Sequence, residues 1–219
     1  MEINRFYNLR SKLLSSTFQA HPKNLKRTND LCGDSSYAKC LIKGLYDGIE
    51  FPIIFEQKYG SKLLDILDTG PASLYLISNK FKKVLIDHEF TGWKVFDVEV
   101  FDKRGQQVFG YTGLSVTGRC GPIDYSKSQI IEKQLVPNGK PIKYYKGQHV
   151  GLNTWDESDM FLPEGNTGIV ITQEVSNAMK SSKLSNVVLQ NLADFEIATY
   201  AINSEPNAPK KGLFGKLGF

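Results

Sequence analysis

A short buried strand, a polar cap, an amphipathic helix and a second strand occur in that order twice in this chain. The first copy has the apolar run 74–77, the helix cap Ser78, and a second strand that begins after the turn at 91–92. The second copy has the run 168–171, the cap Thr172 and a turn at 185–186. The repeated order favours a fold in which helices cover a sheet.

The two copies align without a gap at an offset of 94 residues. The matched pairs are Ile77 with Ile171, Ser78 with Thr172, Phe81 with Val175, Val84 with Ala178, Leu85 with Met179, Phe90 with Leu184, and Gly92 with Asn186. Chance is the second explanation, since this unit is the commonest one in mixed folds. We interpret the copies as related halves, around 74–101 and 168–192, of one domain. Two copies are too few for a solenoid.

The predicted fold class is α+β, with a mixed or antiparallel sheet and helices built around the two similar strand–helix–strand units. Apolar residues alternate at Phe96, Val98 and Val100, which predicts one half-buried strand over 93–101. A hairpin turn follows at 102–105. A further strand is expected over 49–55, and Pro52 would place it at a sheet edge.

Helical spacing predicts three more helices. They are an N-terminal amphipathic helix with Phe6, Leu9 and Leu13, a short helix with Leu63, Leu64 and Leu67, and a helix with Ile130, Ile131 and Leu135. The last would begin with a capping box made by Ser126 and Gln129.

The charge distribution separates a domain over 1–203 from a flexible basic tail over 204–219. Residues 1–30 hold six basic and two acidic residues and 206–219 hold three lysines, whereas 31–205 hold 18 basic and 21 acidic residues. Nucleic-acid binding needs basic residues clustered on one folded surface, so this distribution argues against it. No apolar run approaches the length of a membrane span, which predicts no integral membrane association.

The N-terminus lacks the apolar region of a secretory signal, so we expect a cytoplasmic protein. The three cysteines, Cys32, Cys40 and Cys120, form an odd count in a chain of this kind, which predicts reduced thiols.

Cys120 is the candidate nucleophile, because Arg119 beside it could lower the pKa of the thiol. A catalytic cysteine also needs a base and an orienting group, for which His88 or His149 and Asp124 are available. The alternative is a structural loop in which Pro122 and two glycines provide turn geometry. We favour the loop, and therefore expect a protein that is not an enzyme.

No cofactor or metal is predicted. The chain contains neither a Walker A sequence nor a glycine-rich dinucleotide fingerprint, and its cysteines and histidines match no zinc spacing. Asp156, Glu157 and Asp159 could bind a hard cation, but the EF-hand pattern is missing. We interpret these acids as an exposed loop.

The same acidic loop lies between two aromatic residues, Trp155 and Phe161, and has the composition of a protein-recognition surface. The alternative is that both aromatics are core residues. The candidate binding residues of the chain are Trp93, Arg119, Asp124, Tyr125, Trp155, Asp156, Glu157, Asp159 and Phe161.

Four motifs resemble a bacterial immunity-protein family of polymorphic toxin systems, formerly catalogued as a domain of unknown function. They are ISNKFKKVL at 77–85, TGWK at 91–94 with the strand that follows it, DESDMFLP at 156–163 and GIVIT at 168–172. The resemblance implies a non-enzymatic protein that binds and neutralises a cognate toxin in the cytoplasm. The segment 118–124 and the basic tail depart from the general pattern, which bears on whether the partner is shared.

Two other classes stay open. A hydrolase or transferase that uses Cys120 would bring a histidine and Asp124 into the same pocket. A scaffold or ligand-binding module would have an apolar pocket without convergent titratable groups. The sequence does not indicate an oligomeric state.

Overall fold

The computed structural model describes residues 2–12, 14–23, 37–137 and 139–203. The basic tail predicted for 204–219 lies outside the described residues, as do Leu13 and Cys32.

In chain order the strands are β1 (Phe6–Ser11), β2 (Gln19–Pro22), β3 (Ile53–Tyr59), β4 (Ile66–Asp68), β5 (Tyr75–Ser78), β6 (Trp93–Phe96), β7 (Val98–Phe101), β8 (Tyr111–Val116), β9 (Gly118–Cys120), β10 (Gln129–Lys133), β11 (Ile142–Lys146), β12 (Met160–Pro163), β13 (Ile169–Thr172), β14 (Val187–Asn191) and β15 (Glu196–Ala198). The α-helices are α1 (Tyr37–Lys43), α2 (Asn79–Asp87), α3 (Gln173–Ser181) and α4 (Thr199–Asn203). Short 3₁₀ helices occupy Ile3–Arg5, Tyr125–Lys127, Leu152–Thr154 and Leu192–Asp194.

The described strands form two larger and two smaller sheets. The larger ones have the orders β14-β1-β13-β12-β9 and β4-β5-β8-β6, and the smaller ones β2-β3-β7 and β10-β11-β15. Pairing is antiparallel except between β3 and β7 and between β9 and β12. The α+β class with mixed and antiparallel sheets is confirmed.

The predicted strand–helix–strand unit is present twice, as β5-α2-β6 and β13-α3-β14, and its pairing register also repeats. Ile77 of β5 lies opposite Ile66 of β4 in an antiparallel pair. Ile171 of β13 lies opposite Met160 of β12, also antiparallel, and both residues are 94 positions further along the chain. The offset therefore extends from the sequence motif to the strand pairing.

A third strand occupies the same place in both larger sheets. β8 lies between β5 and β6, and β1 lies between β13 and β14. Val116 of β8 lies opposite Trp93, and Ser11 of β1 lies opposite Val187, which is 94 residues after Trp93. Because β8 follows its unit in the chain whereas β1 precedes its unit, the halves share one strand arrangement in a permuted order. This supports their interpretation as related halves.

The segments after the two helices also match. Glu89 after α2 and Lys183 after α3 have φ of 54° and 48°, while Gly92 and Asn186 have φ of 81° and 62°. The left-handed region is cheap for glycine and tolerated by asparagine. This shared backbone conformation therefore explains why Asn186 in the second copy corresponds to Gly92 in the first.

Two carboxylates at equivalent positions connect the halves reciprocally. Asp65, just before β4, accepts hydrogen bonds from the main-chain N–H and the hydroxyl of Ser185, both at 2.7 Å. Asp159, just before β12, accepts from the main-chain N–H (2.9 Å) and the hydroxyl (3.0 Å) of Thr91. Asp159 lies 94 residues after Asp65, and Ser185 lies 94 residues after Thr91. The two pairs therefore match at the offset of the repeat. We call these pairs the carboxylate clamps.

Ser78 links one clamp to its helix. Its hydroxyl accepts a hydrogen bond from the N–H of Phe81 (3.1 Å), as predicted for a cap, and donates to Asp65 Oδ1 (2.6 Å). Thr172 occupies the N-cap position of α3 but makes no capping hydrogen bond with its side chain. Its hydroxyl instead lies 3.4 Å from Asp159 Oδ1.

The apolar interior has two parts. The larger core lies among the two larger sheets, the β2-β3-β7 sheet and helices α1, α2 and α3, and includes Leu9, Phe55, Leu76, Phe81 and Ile171. A smaller core lies on the opposite face of β1 and β13 and consists of Phe6, Cys120, Val150, Phe161, Val170 and Leu192.

The N-terminal helix was a wrong prediction, because Phe6–Ser11 is the strand β1. Phe6 faces the smaller core and Leu9 the larger one, so both faces of the strand are buried. Pairing with β13 and β14 on its two sides satisfies its main-chain groups. Apolar residues three positions apart here mark two buried strand faces instead of one helix face.

Other predicted elements also differ. The region around Leu67 contains the strand β4, and the segment after Ser126 forms the strand β10 instead of a helix. The segment 93–101 is two strands that break at Asp97 and belong to different sheets. Pro52 precedes β3, so it removes no ladder hydrogen bond, and β3 lies in the middle of its sheet.

Among the described residues, no helix is long and apolar enough to cross a membrane.

The carboxylate clamps should contribute measurably to stability. We expect Asp65→Ala to lower the free energy of unfolding by about 2 kcal/mol at pH 7, because it leaves the donors of Ser185 and Ser78 without their acceptor. Urea unfolding followed by circular dichroism measures the change. The matched control Asp87→Ala removes an exposed carboxylate that pairs with Lys83 and should change stability by less than about 0.5 kcal/mol. Equal stability of the two variants would contradict the clamp.

The pH dependence adds a second measurement on the same variants. Burial raises the pKa of Asp65, but hydrogen bonds from Ser185 and Ser78 and the charge of Lys80 outweigh it, so that the pKa lies below its ordinary value. A lowered pKa in the folded chain stabilises it above the unfolded pKa, and this stabilisation is lost as the pH falls through the folded pKa. The difference between wild type and Asp65→Ala should therefore shrink below about pH 4.

Candidate functional site

Phe161 is part of the smaller core, and Trp155 is partly buried and packs against it. The Phe6 ring lies edge-on to both, with centroid distances of 5.3 and 5.6 Å. Phe161 is fully buried, and the indole N–H of Trp155 donates to the carbonyl of Ser158 (3.1 Å). Their role as binding anchors stays a prediction, and the structure gives both a packing role.

The acidic loop between them is held by its own carboxylates. Asp156 accepts hydrogen bonds from the N–H of Arg119 (2.8 Å) and the hydroxyl of Ser158 (2.5 Å). Burial raises the pKa of Asp156, but these hydrogen bonds outweigh it and lower the pKa. Asp159 belongs to a carboxylate clamp. Glu157 is exposed and has a left-handed backbone conformation with φ of 62°.

Arg119 fastens α1 to β8 and β9. Its guanidinium donates to the carbonyls of Val116 (2.7 Å), Gly118 (2.8 Å) and Lys43 (2.7 Å). These contacts direct the charge at main-chain oxygens. The predicted effect of Arg119 on the thiol of Cys120 is not observed.

Cys120 is buried, and burial together with the negative charge of Asp156 raises its pKa to about 11. The thiol contacts the carbonyl of Gly121. The His88 ring stacks on Phe90, and no hydrogen bond between described residues joins either candidate histidine to the thiol. At neutral pH the thiol is protonated, which argues against a nucleophilic role.

The cysteines also correct one expectation. Cys40 is disulfide-bonded, so the prediction of reduced thiols is wrong for this residue. Cys120 is a free thiol, and Cys32 lies outside the described residues.

The remaining candidates have local contacts. The indole N–H of Trp93 donates to the carbonyl of Phe90 (2.7 Å), and Asp124 accepts from the N–H (3.1 Å) and hydroxyl (2.5 Å) of Ser126. Tyr125 lines a large concavity. Within the described ranges, no group of three or more His, Cys, Asp or Glu residues is placed to hold a metal ion.

The concavity at Tyr125 has a volume of about 580 Å³. It lies beside β1 and beside the residues that immediately precede β5 and β13. The segments that carry Tyr125, Gln148 and Phe195 also line it. Four carboxamide side chains line it: Asn8, Gln19, Gln148 and Asn166. We call it the amide cleft.

Two of these carboxamides are buried without a hydrogen-bond partner for their oxygen. Asn8 and Gln148 are each 5% exposed, and neither Asn8 Oδ1 nor Gln148 Oε1 has a partner within the described structure. A buried acceptor without a partner costs about 1–3 kcal/mol. The other two differ, because Gln19 donates to Asp68 (3.0 Å) and Asn166 accepts from the N–H of Gly168 (2.6 Å).

The charged groups at the cleft are engaged by neighbours. Asp68 accepts from Gln19, from the N–H of Gly70 (2.9 Å) and from the hydroxyl of Ser11 (3.2 Å). Arg10 donates to Gln190 Oε1 (2.5 Å). These partners are all neutral, so the cleft combines carboxamide groups with the charges of Asp68 and Arg10.

The other half of the fold fills the position that corresponds to Asn8. Asn8 lies opposite Gln190, and the equivalent pair in the β4-β5-β8-β6 sheet is Gly113 opposite Phe96. A Cβ atom built on Gly113 would lie 2.0 Å from the Phe96 ring. Aromatic packing thus closes this site in one half. The fold itself does not require the amide cleft in the other.

A second concavity adjoins the cleft. It has a volume of about 320 Å³ and shares Gln19 and Asp68 with the amide cleft. Leu14, Phe18 and Tyr59 supply its apolar wall, and Leu14 and Tyr59 are 46% and 56% exposed. We call it the apolar groove.

One feature of the sequence indicates the amide cleft once Phe6–Ser11 is known to be a strand instead of a helix. Asn8 interrupts the apolar stretch from Phe6 to Leu9. In a strand with two buried faces, a polar residue at this position must be buried and stands out. Gln148 carried no comparable signal, because its burial depends on the segment at Leu192.

Comparison with known proteins adds no relative. The chain matches no protein-family model, and no curated protein matches it significantly. The immunity-protein resemblance therefore depends on the four short motifs alone.

The thiol of Cys120 should be unreactive in the native chain. At pH 7.5 we expect iodoacetamide to label it about 100-fold more slowly than a thiol of ordinary pKa, because the raised pKa leaves that much less thiolate. Mass spectrometry of the peptide that carries Cys120 measures the rate, and labelling in urea is the control. Rapid labelling of the native chain would contradict the buried, protonated state.

The unpartnered carboxamides should cost stability. We expect Asn8→Leu to raise the free energy of unfolding by about 1 kcal/mol, since it replaces an unsatisfied buried group with an apolar one of similar size. The control Asn191→Leu should lower it by about 1 kcal/mol. Asn191 accepts from the N–H of Ala193 (2.9 Å) and donates to the carbonyl of Asn4 (2.6 Å). Equal losses in both variants would contradict an unsatisfied Asn8.

Proposed function

We propose that this chain is a non-enzymatic binding protein that neutralises a cognate bacterial toxin by binding it in the cytoplasm. The observation that carries the proposal is the amide cleft, a concavity of about 580 Å³ lined by four carboxamide side chains. The motif resemblance supplies the toxin as the partner.

Rigid placement of the cleft favours binding. Asn8 lies on β1, which is paired on both sides, and the main-chain N–H of Gln148 donates to the carbonyl of Leu192 (2.8 Å). A preformed site loses less conformational entropy when a partner binds. Inhibition of a toxin by binding depends on such a preformed, complementary surface.

A ligand-binding module is the second candidate. The volume of the amide cleft, about 580 Å³, lies within the range of small-molecule pockets. Its lining mixes polar and apolar side chains, whereas the sequence predicts an apolar pocket for this class. No described contact favours the third candidate, a hydrolase or transferase that uses Cys120.

Co-expression tests the proposal directly. Cells that produce the product of the adjacent gene should survive when this chain is present, and the two proteins should co-purify as a stable complex. Cys120→Ser should protect equally well, because the thiol takes no part in binding. An unrelated toxin is the specificity control. Failure to protect, together with absence of a complex, would exclude toxin neutralisation and leave the ligand-binding module.

A further inference from the structure

We infer that the strand β10 pairs edge to edge with β10 of a second copy of this chain, so that the β10-β11-β15 sheets of the two copies join into one continuous sheet. The pairing is antiparallel around a twofold axis, with Ile131 opposite Ile131 of the second copy. The inference goes beyond the proposed function and does not rest on it, because β10 does not line the amide cleft.

The outer main-chain groups of β10 have no strand beside them. β10 lies at the end of the β10-β11-β15 sheet and pairs with β11, from Gln129 opposite Lys146 to Lys133 opposite Ile142. Within the part of the chain that the structure describes, no main-chain hydrogen bond joins β10 to a segment other than β11. Such a row of unpaired N–H and C=O groups is a template for a further strand.

β10 also carries apolar side chains that its own fold leaves exposed. Ile130 is 58% exposed, and Leu135 and Val136, just after the strand, are 60% and 62% exposed. Among the described strands that lie at sheet edges, only β10 bears a large apolar side chain this exposed. Proteins usually protect a free edge with proline, charges or very short strands. An apolar edge therefore indicates a surface that a partner covers.

The charged residues of β10 do not protect the edge, because both are paired inside the sheet. Lys133 Nζ pairs with the carboxylate of Glu196 on β15, and Glu132 Oε1 lies 4.0 Å from Lys143 Nζ on β11. Both contacts direct the charges toward the neighbouring strands and away from the free edge. A further strand can therefore approach β10 without facing an unpaired charge of this strand.

The sequence of β10 fits a second copy of itself. A twofold axis that gives two five-residue strands full overlap places the middle residue, Ile131, opposite its own copy. Gln129 then lies opposite Lys133, and Ile130 lies opposite Glu132. In this register an apolar pair lies on the axis and no like charges are directly opposite, which favours pairing.

Neighbouring registers are less favourable. An axis one residue later would place Glu132 opposite its own copy, and an axis one residue earlier would place Lys127 opposite Lys133. Like charges directly opposite one another destabilise a strand pair. The register with full overlap is therefore also the one that avoids repulsion, and a second copy is the partner that the residues of β10 specify.

Sedimentation velocity of the full chain from about 1 to about 100 µM tests the inference, since a dimer must become more populated as the concentration rises. We expect wild type to dimerise. Ile130→Glu should raise the dissociation constant at least about tenfold, because symmetry places a carboxylate opposite Glu132 twice. The matched control Ile130→Lys places an ammonium group there and should stay within about threefold of wild type. Thermal unfolding checks that both variants fold.

Cross-linking tests the position of the axis. Directly opposite residues of antiparallel strands have Cα atoms about 4.5–5.5 Å apart, within the range of about 4.4–6.8 Å that a disulfide spans. With oxidised glutathione, Ile131→Cys should therefore form a disulfide-linked dimer from two thiols while glutathione is reduced. Ile86→Cys, at a 54% exposed position on α2, is the control and should not cross-link above the level of wild type.

Three results would overturn the inference. A chain that stays monomeric at about 100 µM does not pair through β10. A dimer that Ile130→Glu leaves unchanged uses another surface. A dimer that this variant weakens, but in which Ile131→Cys cross-links no faster than Ile86→Cys, has a different axis.

Discussion

The two larger sheets are held to each other by carboxylates that cross between the halves of the fold. Asp65 fixes the turn at Ser185, and Asp159 fixes the turn at Thr91, so each half positions the last strand of the other. Hydrogen bonds to ionised acceptors are about twice as strong as neutral ones. Because these carboxylates lie just before β4 and β12, they also fix where the flanking strands begin.

Within this reciprocal arrangement, the amide cleft is the point at which the halves differ. One half closes the position with Phe96 packed on Gly113, and the other keeps Asn8 and its unpartnered oxygen. A duplicated fold can supply identical backbone positions with different side chains, and therefore with different roles.

The sequence predicts candidate binding residues because they are aromatic or charged residues near loops. Most of these residues make contacts within the fold. Asp156 and Asp159 hold loops, Arg119 holds α1, and Trp155 packs against the smaller core. Aromatic and charged residues near a loop have the same composition whether they face a partner or a core. The binding role of Tyr125 stays a prediction, and the burial of Asn8 follows only from the strand β1, where the sequence predicts a helix. Side-chain surroundings depend on segments distant in the chain.

The sequence by itself determined the repeated unit, the α+β class and the cap at Ser78. These depend on local patterns: alternation in strands, apolar spacing in α2 and α3, and the hydrogen bond of a cap to the third residue beyond it. Only the tertiary structure decided that 6–11 is a strand, that 93–101 breaks into two sheets, and that Asn8 and Gln148 line one cleft. The physical reason is that β1 is stabilised by pairing with β13 and β14, more than 150 residues away, and no local pattern encodes that contact.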